Sequence, residues 1–249
     1  MNISKYSGNG NDFLIFHCFS KQDYSKLAKK LCHRSNALGA DGLVVLYPHK
    51  SLDFEWGFYN SDGSIANMCG NATRCASHYA YNNKLVLDKK VSFLSGAGII
   101  NCEIKKKNVV ATQFPFVKII KKEFQEENLT WKIIDTGVPH LVCLNKKDVF
   151  CLKIAKKMRD KYNANVNFSF MKNKHLYVRT FERGVEDETL ACGTGMAASF
   201  FYAKEKKLFK ENKIQIISKS KEKILFWKHK KDIFFEAKVK KIYSCDIKV

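Results

Sequence analysis

The stretch Asn67-Met-Cys-Gly-Asn-Ala-Thr-Arg-Cys75 places a cysteine and a glycine at the start of a predicted helix over residues 69–81. A second stretch, Thr189-Leu-Ala-Cys-Gly-Thr-Gly195, does the same for a predicted helix over residues 192–203. A helix N-terminus carries unpaired N–H groups and about half a positive charge, and both features stabilise a thiolate. Each helix start therefore predicts an anion site beside a thiol, with backbone N–H groups offered by Gly70, Asn71, Gly193 and Thr194.

The predicted elements around these two stretches form a repeat. Further helices are predicted from about residue 23 and over 148–161, and Leu27-Ala-Lys-Lys-Leu31 in the first resembles Ile154-Ala-Lys-Lys-Met158 in the second. The sequence thus predicts an α/β fold of two similar domains, 1–115 and 116–239, related by a pseudo-twofold axis. The predicted strands are 3–6, 13–18, 43–47, 53–59, 91–94, 99–104, 109–114, 131–135, 140–144, 165–171, 176–181, 214–218, 224–227 and 239–243.

The charge of the chain does not favour nucleic-acid binding. The 249 residues carry a formal net charge of +20, but only five of the basic residues are arginine and 39 are lysine, scattered along the chain. Arginine is the usual side chain for bidentate phosphate and base contacts, whereas lysine is a hydrated point charge. A solvated, lysine-rich surface is the preferred interpretation, and a basic RNA-binding or membrane-surface protein is the alternative.

The cysteines favour a reducing compartment. Their number, nine, is odd and no CxxC pair occurs, so neither a disulfide scaffold nor zinc spacing is indicated. No apolar run approaches the roughly 18 residues that cross a bilayer, and the first residues lack the apolar segment of a secretory signal. We therefore expect a cytoplasmic protein without a membrane partner or a bound metal.

Two thiols at paired helix starts suit one reaction in particular. If both flank one Cα, a thiolate on one face removes the proton while a thiol on the other face delivers one, and the stereocentre is inverted. The alternative for either stretch alone is a buried helix cap, in which glycine only makes room. A thiol oxidoreductase is disfavoured because Cys69 and Cys192 each lack a CxxC partner.

The sequence resembles the diaminopimelate epimerases, which interconvert LL- and meso-diaminopimelate without a cofactor. The resemblance spans residues 5–195 in the order of that family. Its motifs are Lys5-Tyr-Ser-Gly-Asn-Gly-Asn-Asp-Phe13, Gly39-Ala-Asp-Gly-Leu43, Tyr59-Asn-Ser-Asp-Gly63, Met68-Cys-Gly-Asn71 with Arg74-Cys75, Asp135-Thr-Gly-Val-Pro-His140, Asn165-Val-Asn-Phe168, and Glu182-Arg-Gly-Val185 running into Glu188-Thr-Leu-Ala-Cys-Gly-Thr-Gly195.

The resemblance implies a fold and a set of roles. Each domain is expected to be a curled mixed or antiparallel sheet around a central helix, with the last strand, from about residue 240, rejoining the first domain. The implied bases are Cys69 and Cys192, with His140 and Glu182 close to the reacting amine and thiols. The implied substrate contacts are Asn11, Asn60, Gly70, Asn71, Asn165, Glu182, Arg183, Gly193 and Thr194. Diaminopimelate is the implied partner, and the oligomeric state is open, a homodimer being one option.

Alternatives stand beside these implied roles. Glu182 and Arg183 could form a surface pair, His140 could be a turn residue after Pro139, and Asn11 and Asn60 lie by turns where asparagine is common. The sequence also departs from the family at Val138, where many members carry an asparagine that touches the distal end of the substrate. A proline, hydroxyproline or histidine racemase of the same fold is the nearest rival function.

Overall fold

The computed structural model describes residues 1–114, 117–221, 223–230 and 232–248. Its contacts divide the chain into two compact units, Met1–Thr112 with Ala237–Val249, and Gln113–Glu236. The domain boundary predicted between residues 115 and 116 lies outside the described residues and stays a prediction. Among the described residues, no helix is long and apolar enough to cross a membrane.

The first unit is a mixed sheet packed on a buried helix. Neighbouring strands follow chain order, and they are antiparallel except where a helix connects them, at β2–β3 and β4–β5. The elements are β1 (Asn2–Gly8), β2 (Asn11–His17), α1 (Ser25–Leu31), β3 (Gly42–Tyr47), β4 (Phe54–Asn60), α2 (Gly70–Asn82), β5 (Lys90–Ser95), β6 (Gly98–Lys106) and β7 (Val109–Gln113).

The second unit repeats this topology. Its strands pair in the order β8-β9-β10-β11-β12-β14-β15-β16, again parallel only where helices intervene, at β10–β11 and β12–β14. The elements are β8 (Lys118–Glu126), β9 (Leu129–Asp135), β10 (Pro139–Asn145), α3 (Leu152–Tyr162), β11 (Asn165–Lys172), β12 (His175–Glu182), β13 (Asp187–Thr189), α4 (Gly193–Glu205), β14 (Lys213–Ile217), β15 (Lys223–His229) and β16 (Asp232–Lys238).

The last strand belongs to the first unit. Strand β17 (Lys240–Asp246) pairs antiparallel with β1, with Asn2 opposite Asp246. In the second unit β8 flanks β9 in the same way. The strand that flanks β9 in the second unit, β8, therefore directly precedes it in the chain. The equivalent strand of the first unit, β17, follows the whole second unit.

Helices α2 and α4 are the central helices of the two units. Eleven of the thirteen residues of α2 are buried, as are eight of the thirteen of α4. Small residues such as Ala72, Ala76, Ala197 and Ala198 let the strands approach both helices closely. Burial of each whole helix fixes the position of its first turn.

The structure differs from the sequence prediction at four elements. Strands β8, β13 and β16 were not predicted, and β8 is mostly exposed and rich in lysine, so it lacks the alternation of a half-buried strand. Helix α3 begins at Leu152 rather than at residue 148, because Cys151 is extended and the Asp148 carboxylate accepts a hydrogen bond from the backbone N–H of Phe150.

Candidate active site

In the first unit, Cys69 is the N-cap residue of α2. Its backbone is extended, at φ −143° and ψ 124°, and its carbonyl accepts the first helical hydrogen bond from Thr73 N at 2.9 Å. Gly70 and Asn71 form the first turn, where backbone N–H groups have no partner within the helix. The thiol of Cys69 is partly exposed, whereas Cys75 is buried, and burial raises the pKa of the Cys75 thiol to about 12. Of the two thiols on α2, Cys69 is the one suited to react.

A buried arginine holds this first turn in place. The guanidinium of Arg74 is fully buried and donates to Gly70 O at 2.9 Å, to Asn9 Oδ1 at 2.6 Å and to Asn71 Oδ1 at 2.5 Å. Asn9 and Gly10 form the turn between β1 and β2, both with positive φ, as the Asn-Gly hairpin turn requires. Arg74 thus joins the start of α2 to this turn and adds positive charge beside it.

Asn11 lies on the other side of the same turn. Its Oδ1 accepts from Asn71 Nδ2 at 2.6 Å, and its own Nδ2 donates to Asp41 Oδ2 at 3.0 Å. Asp41 belongs to an ion network in which Arg34 bridges it to Asp12, and Lys5 Nζ lies 3.0 Å from Asp12 Oδ2. This network fixes the amide of Asn11.

Asn60, at the exposed end of β4, donates through Nδ2 to Ser64 Oγ at 3.0 Å.

Replacing Asp12 by asparagine is expected to weaken the fold at neutral pH and to reduce its sensitivity to acid. Burial opposes ionisation of Asp12, but hydrogen bonds from Arg34 and Lys5 outweigh it and hold the pKa below its ordinary value. A carboxyl whose pKa is depressed on folding stabilises the protein above its unfolded pKa, and that contribution is lost as the pH falls through about 4 and below. We expect Asp12→Asn to lower the free energy of unfolding by about 1–2 kcal/mol at neutral pH, measured by urea unfolding.

The matched control is Glu103→Gln, which removes an exposed ion pair with Lys105. The free energy of unfolding of Glu103→Gln should fall with decreasing pH as steeply as that of the unchanged protein. The free energy of unfolding of Asp12→Asn should fall less steeply. Equal slopes for all three proteins would contradict the role given to the network.

In the second unit, Cys192 is the N-cap residue of α4. Its backbone is extended, at φ −120° and ψ 109°, and its carbonyl accepts from Met196 N at 2.9 Å. The thiol lies 3.3 Å from Thr194 Oγ1. A Cβ built on Gly193 would meet no atom within 4 Å, so the backbone of the first turn faces open space. Like the start of α2, this turn places a thiol beside backbone N–H groups, and here an anion can approach them.

His140 lies at the start of β10, opposite Asn165 of β11, and is fully buried. Its Nδ1 is 3.0 Å from Asn167 Nδ2. Burial lowers the pKa of the imidazole to about 3, and the positive charge of Arg183 acts in the same direction. His140 is therefore neutral at physiological pH and is part of the β10–β11 sheet rather than a turn.

The remaining predicted residues of the second unit lie where β11 begins and β12 ends. Asn165 Oδ1 accepts from Arg183 N at 2.9 Å, and Asn165 Nδ2 donates to Pro139 O at 3.3 Å. Glu182 ends β12, and burial raises the pKa of its carboxyl, opposed by a hydrogen bond with Thr189. Arg183 Nη1 donates to Asn163 O at 2.9 Å, so its side chain is directed to that carbonyl rather than to the adjacent Glu182.

Each unit gathers its own set of predicted residues. In the first they are Asn11, Asn60, Cys69, Gly70 and Asn71, and in the second His140, Asn165, Glu182, Arg183, Cys192, Gly193 and Thr194. Some of these residues occupy equivalent positions in the two repeats. Cys69 and Cys192 each directly precede a central helix, and Asn60 and Glu182 each end a long strand that comes before that helix in the chain. Sequence reasoning gave no role to Arg74, Asn9, Asn167 or Thr180, whose side chains hold these residues in place.

Comparison with known proteins decides the family. Residues 3–114 match the family model described as diaminopimelate epimerase. The diaminopimelate epimerase of a Nitratiruptor species is 47% identical over 246 residues, covering 98% of this chain and 97% of its own. The chain belongs to the diaminopimelate epimerase family. The match to this relative therefore extends over both units rather than over one motif.

Solved structures of low sequence identity show the same fold as this epimerase-family chain. A phenazine biosynthesis protein of the PhzF family from Bacillus anthracis has a TM-score of 0.74 at 12% identity and covers 100% of this chain and 99% of its own. A probable proline racemase from Agrobacterium radiobacter K84 has a TM-score of 0.74 at 8% identity and covers 100% and 93%. The predicted fold class, α/β with two similar domains, is confirmed.

Proposed function

We propose that this protein epimerises LL-2,6-diaminopimelate to meso-diaminopimelate by a two-cysteine, two-base proton transfer, without a cofactor. One observation carries the proposal: a cysteine followed by glycine occupies the N-cap of the central helix in each of two repeats of the same topology. A repeated fold does not need a repeated thiol for its stability, since the N-caps that stabilise helices best are serine, threonine, aspartate and asparagine. We therefore assign the paired thiols to chemistry rather than to helix capping.

The proton balance of the reaction assigns opposite states to the two thiols. One of Cys69 and Cys192 is a thiolate that takes the α-proton, and the C–H electron pair stays on the α-carbon. The other is a thiol that gives its proton to the opposite face. The products are the inverted amino acid and an enzyme whose thiol and thiolate have exchanged places, so the reverse reaction runs through the same two residues.

Stabilisation of the carbanion falls to the helix starts. An α-proton is far less acidic than a thiol, so a base alone is insufficient. We assign binding of the α-carboxylate to the backbone N–H groups of Gly70, Asn71, Gly193 and Thr194, which would also take up the negative charge that develops on it. The open space beside Gly193 is consistent with this role, because a side chain there would stand where the carboxylate must approach.

The distal end of the substrate requires recognition of both an ammonium and a carboxylate. We assign it to Asn11, Asn60, Asn165, Glu182 and Arg183. Arg183 can fork onto a carboxylate, Glu182 can pair with the ammonium, and the asparagines can both donate and accept. An ammonium beside Glu182 favours its ionised form and so counteracts the effect of burial on its pKa. Single-ended amino acids lack the groups that this set would bind.

The cellular setting follows from the chemistry. A mechanism that needs one thiolate and one thiol requires a reducing environment, so we place the protein in the cytoplasm. Its proposed partner is the small-molecule substrate, without nucleic acid or membrane.

Incubation with LL-diaminopimelate in D2O under reducing conditions tests the proposal. We expect the meso isomer to appear with deuterium at one α-carbon, because the incoming proton comes from a thiol that exchanges with solvent. Chiral chromatography with mass spectrometry measures both isomer and label. L-Proline and L-histidine, incubated in parallel, should stay unlabelled and uninverted. Inversion of either amino acid in preference to diaminopimelate, or a meso product without deuterium, would overturn the assignment.

A further inference from the structure

The side-chain amide of Asn167 lies beside the imidazole of His140. Asn167 is in β11, two residues after Asn165 and on the same face of the strand. Its Nδ2 lies 3.0 Å from His140 Nδ1 and 3.2 Å from Leu141 O, and its Oδ1 lies 2.9 Å from Thr180 Oγ1. Asn167 and His140 are both fully buried.

These partners fix the orientation of the Asn167 amide. A backbone carbonyl only accepts, so the group that faces Leu141 O must be the NH2. The amide oxygen then faces the hydroxyl of Thr180, which donates to it. Rotating the amide by half a turn would set its oxygen against Leu141 O and leave two buried acceptors in contact, which costs free energy.

The orientation of the amide sets the tautomer of the imidazole. Since Asn167 Nδ2 donates its other hydrogen to His140 Nδ1, that nitrogen holds a lone pair and the proton lies on Nε2. We propose that Asn167 and Thr180 are positioning residues that hold His140 as a neutral Nε2–H donor. This inference rests on the proposed function for its catalytic consequence, but the position of the proton does not depend on it.

We assign the remaining N–H group of His140 to a ligand. Among the residues that the structure describes, His140 Nε2 has no hydrogen-bond partner although it is buried. His140 pairs with Asn165 and lies on the strand against which α4 packs. An Nε2–H group cannot accept from the substrate ammonium, so His140 is not its base. It can donate to negative charge, and we assign it that role during the epimerisation.

Nitrogen-15 NMR of the histidine side chains tests the tautomer in the protein without substrate. The signals of His140 are identified as those that a His140→Gln variant lacks. At neutral pH we expect one protonated nitrogen, Nε2, and one with a free lone pair, Nδ1. In Asn167→Asp the carboxylate can only accept, so the proton should move to Nδ1 and kcat should fall about 100-fold, as when one donor is removed. A proton on Nδ1 in the unchanged protein would overturn the proposal.

Two further variants keep the test decisive. If Asn167→Asp fails to fold, Asn167→Ala removes the donor without burying a charge, and His140 should then show both tautomers. Thr180→Val keeps the shape of the side chain but leaves only Leu141 O to orient the amide, so a minor Nδ1–H population should appear and kcat should fall by less than in Asn167→Asp. A moved proton with unchanged kcat would refute the positioning role, whereas absence of epimerase activity in the unchanged protein would refute the proposed function and leave the NMR result standing.

Discussion

Replacing Cys69 or Cys192 by alanine is expected to abolish epimerisation in both directions, with kcat at least about 1,000-fold lower. Inversion needs a base on one face of the α-carbon and an acid on the other, so either thiol alone cannot complete it. Cys69 is partly exposed and Cys192 is 8% exposed, and each lies at the N-terminal end of a helix, whereas Cys75 and Cys102 are enclosed in the core of the first unit. The variants should therefore fold, which circular dichroism and urea unfolding will check.

Hydrogen exchange in D2O separates the two thiols. A variant that keeps one thiol can remove a proton from its own face and return a deuteron there, so it labels one stereoisomer without inverting it. The two alanine variants should then label opposite stereoisomers. Cys245→Ala, in β17, is the matched control and should keep full activity. Inversion by either site variant at more than a trace would contradict the two-base mechanism.

Gly195→Ala is expected to destabilise the second unit. A Cβ at this position would lie 2.2 Å from Asn167 Oδ1 and 3.2 Å from Thr180 Oγ1. Asn167 cannot move aside without losing its hydrogen bonds to Leu141 O and Thr180. Helix α4 must shift instead, and overpacking of this kind costs about 1–3 kcal/mol. Urea unfolding measures the loss, and the displaced helix start should also lower kcat.

Gly193→Ala is the matched control, two residues earlier on the same helix. Its Cβ would meet no atom within 4 Å, and its φ is not in the left-handed region, so the free energy of unfolding should change little. If the substrate carboxylate binds at this turn, the methyl group blocks it, and kcat/KM should fall while stability is kept. Equal stability of the two variants would refute the packing argument, and full activity of Gly193→Ala would refute the carboxylate site.

The sequence was sufficient for the features that depend on local pattern. The two Cys-Gly helix starts, the repeat and the strands flanking them follow from periodicity and from residues whose chemistry is unusual at such positions. Strand β8 was missed because it is an exposed edge strand whose lysines carry no alternation, and strand identity there comes from pairing with β9. The partner strand β9 follows directly in the chain, but the residues of β8 themselves carry no pattern that marks the pairing.

The supporting contacts of the site could be predicted only in part. Asn167 was visible within the motif Asn165-Val-Asn-Phe168, and its position two residues after Asn165 placed it on the same face of a strand. Its role depends on Thr180, on Leu141 O and on the absence of a side chain at Gly195, which lie on three other elements. Arg74 was likewise quoted in a motif, but its burial and its bond to Asn9 are properties of the folded chain.

The pairing of β17 with β1 has a consequence for biosynthesis. The second unit is built from one continuous segment of the chain, Gln113–Glu236. The sheet of the first unit is complete only when Lys240–Asp246 has also been synthesised. The unit that is translated first is thus completed after the second, and the nascent chain carries an open edge at β1 until β17 has been synthesised. Edges of this kind invite pairing with other chains, so the newly made protein is exposed to aggregation until β17 pairs with β1.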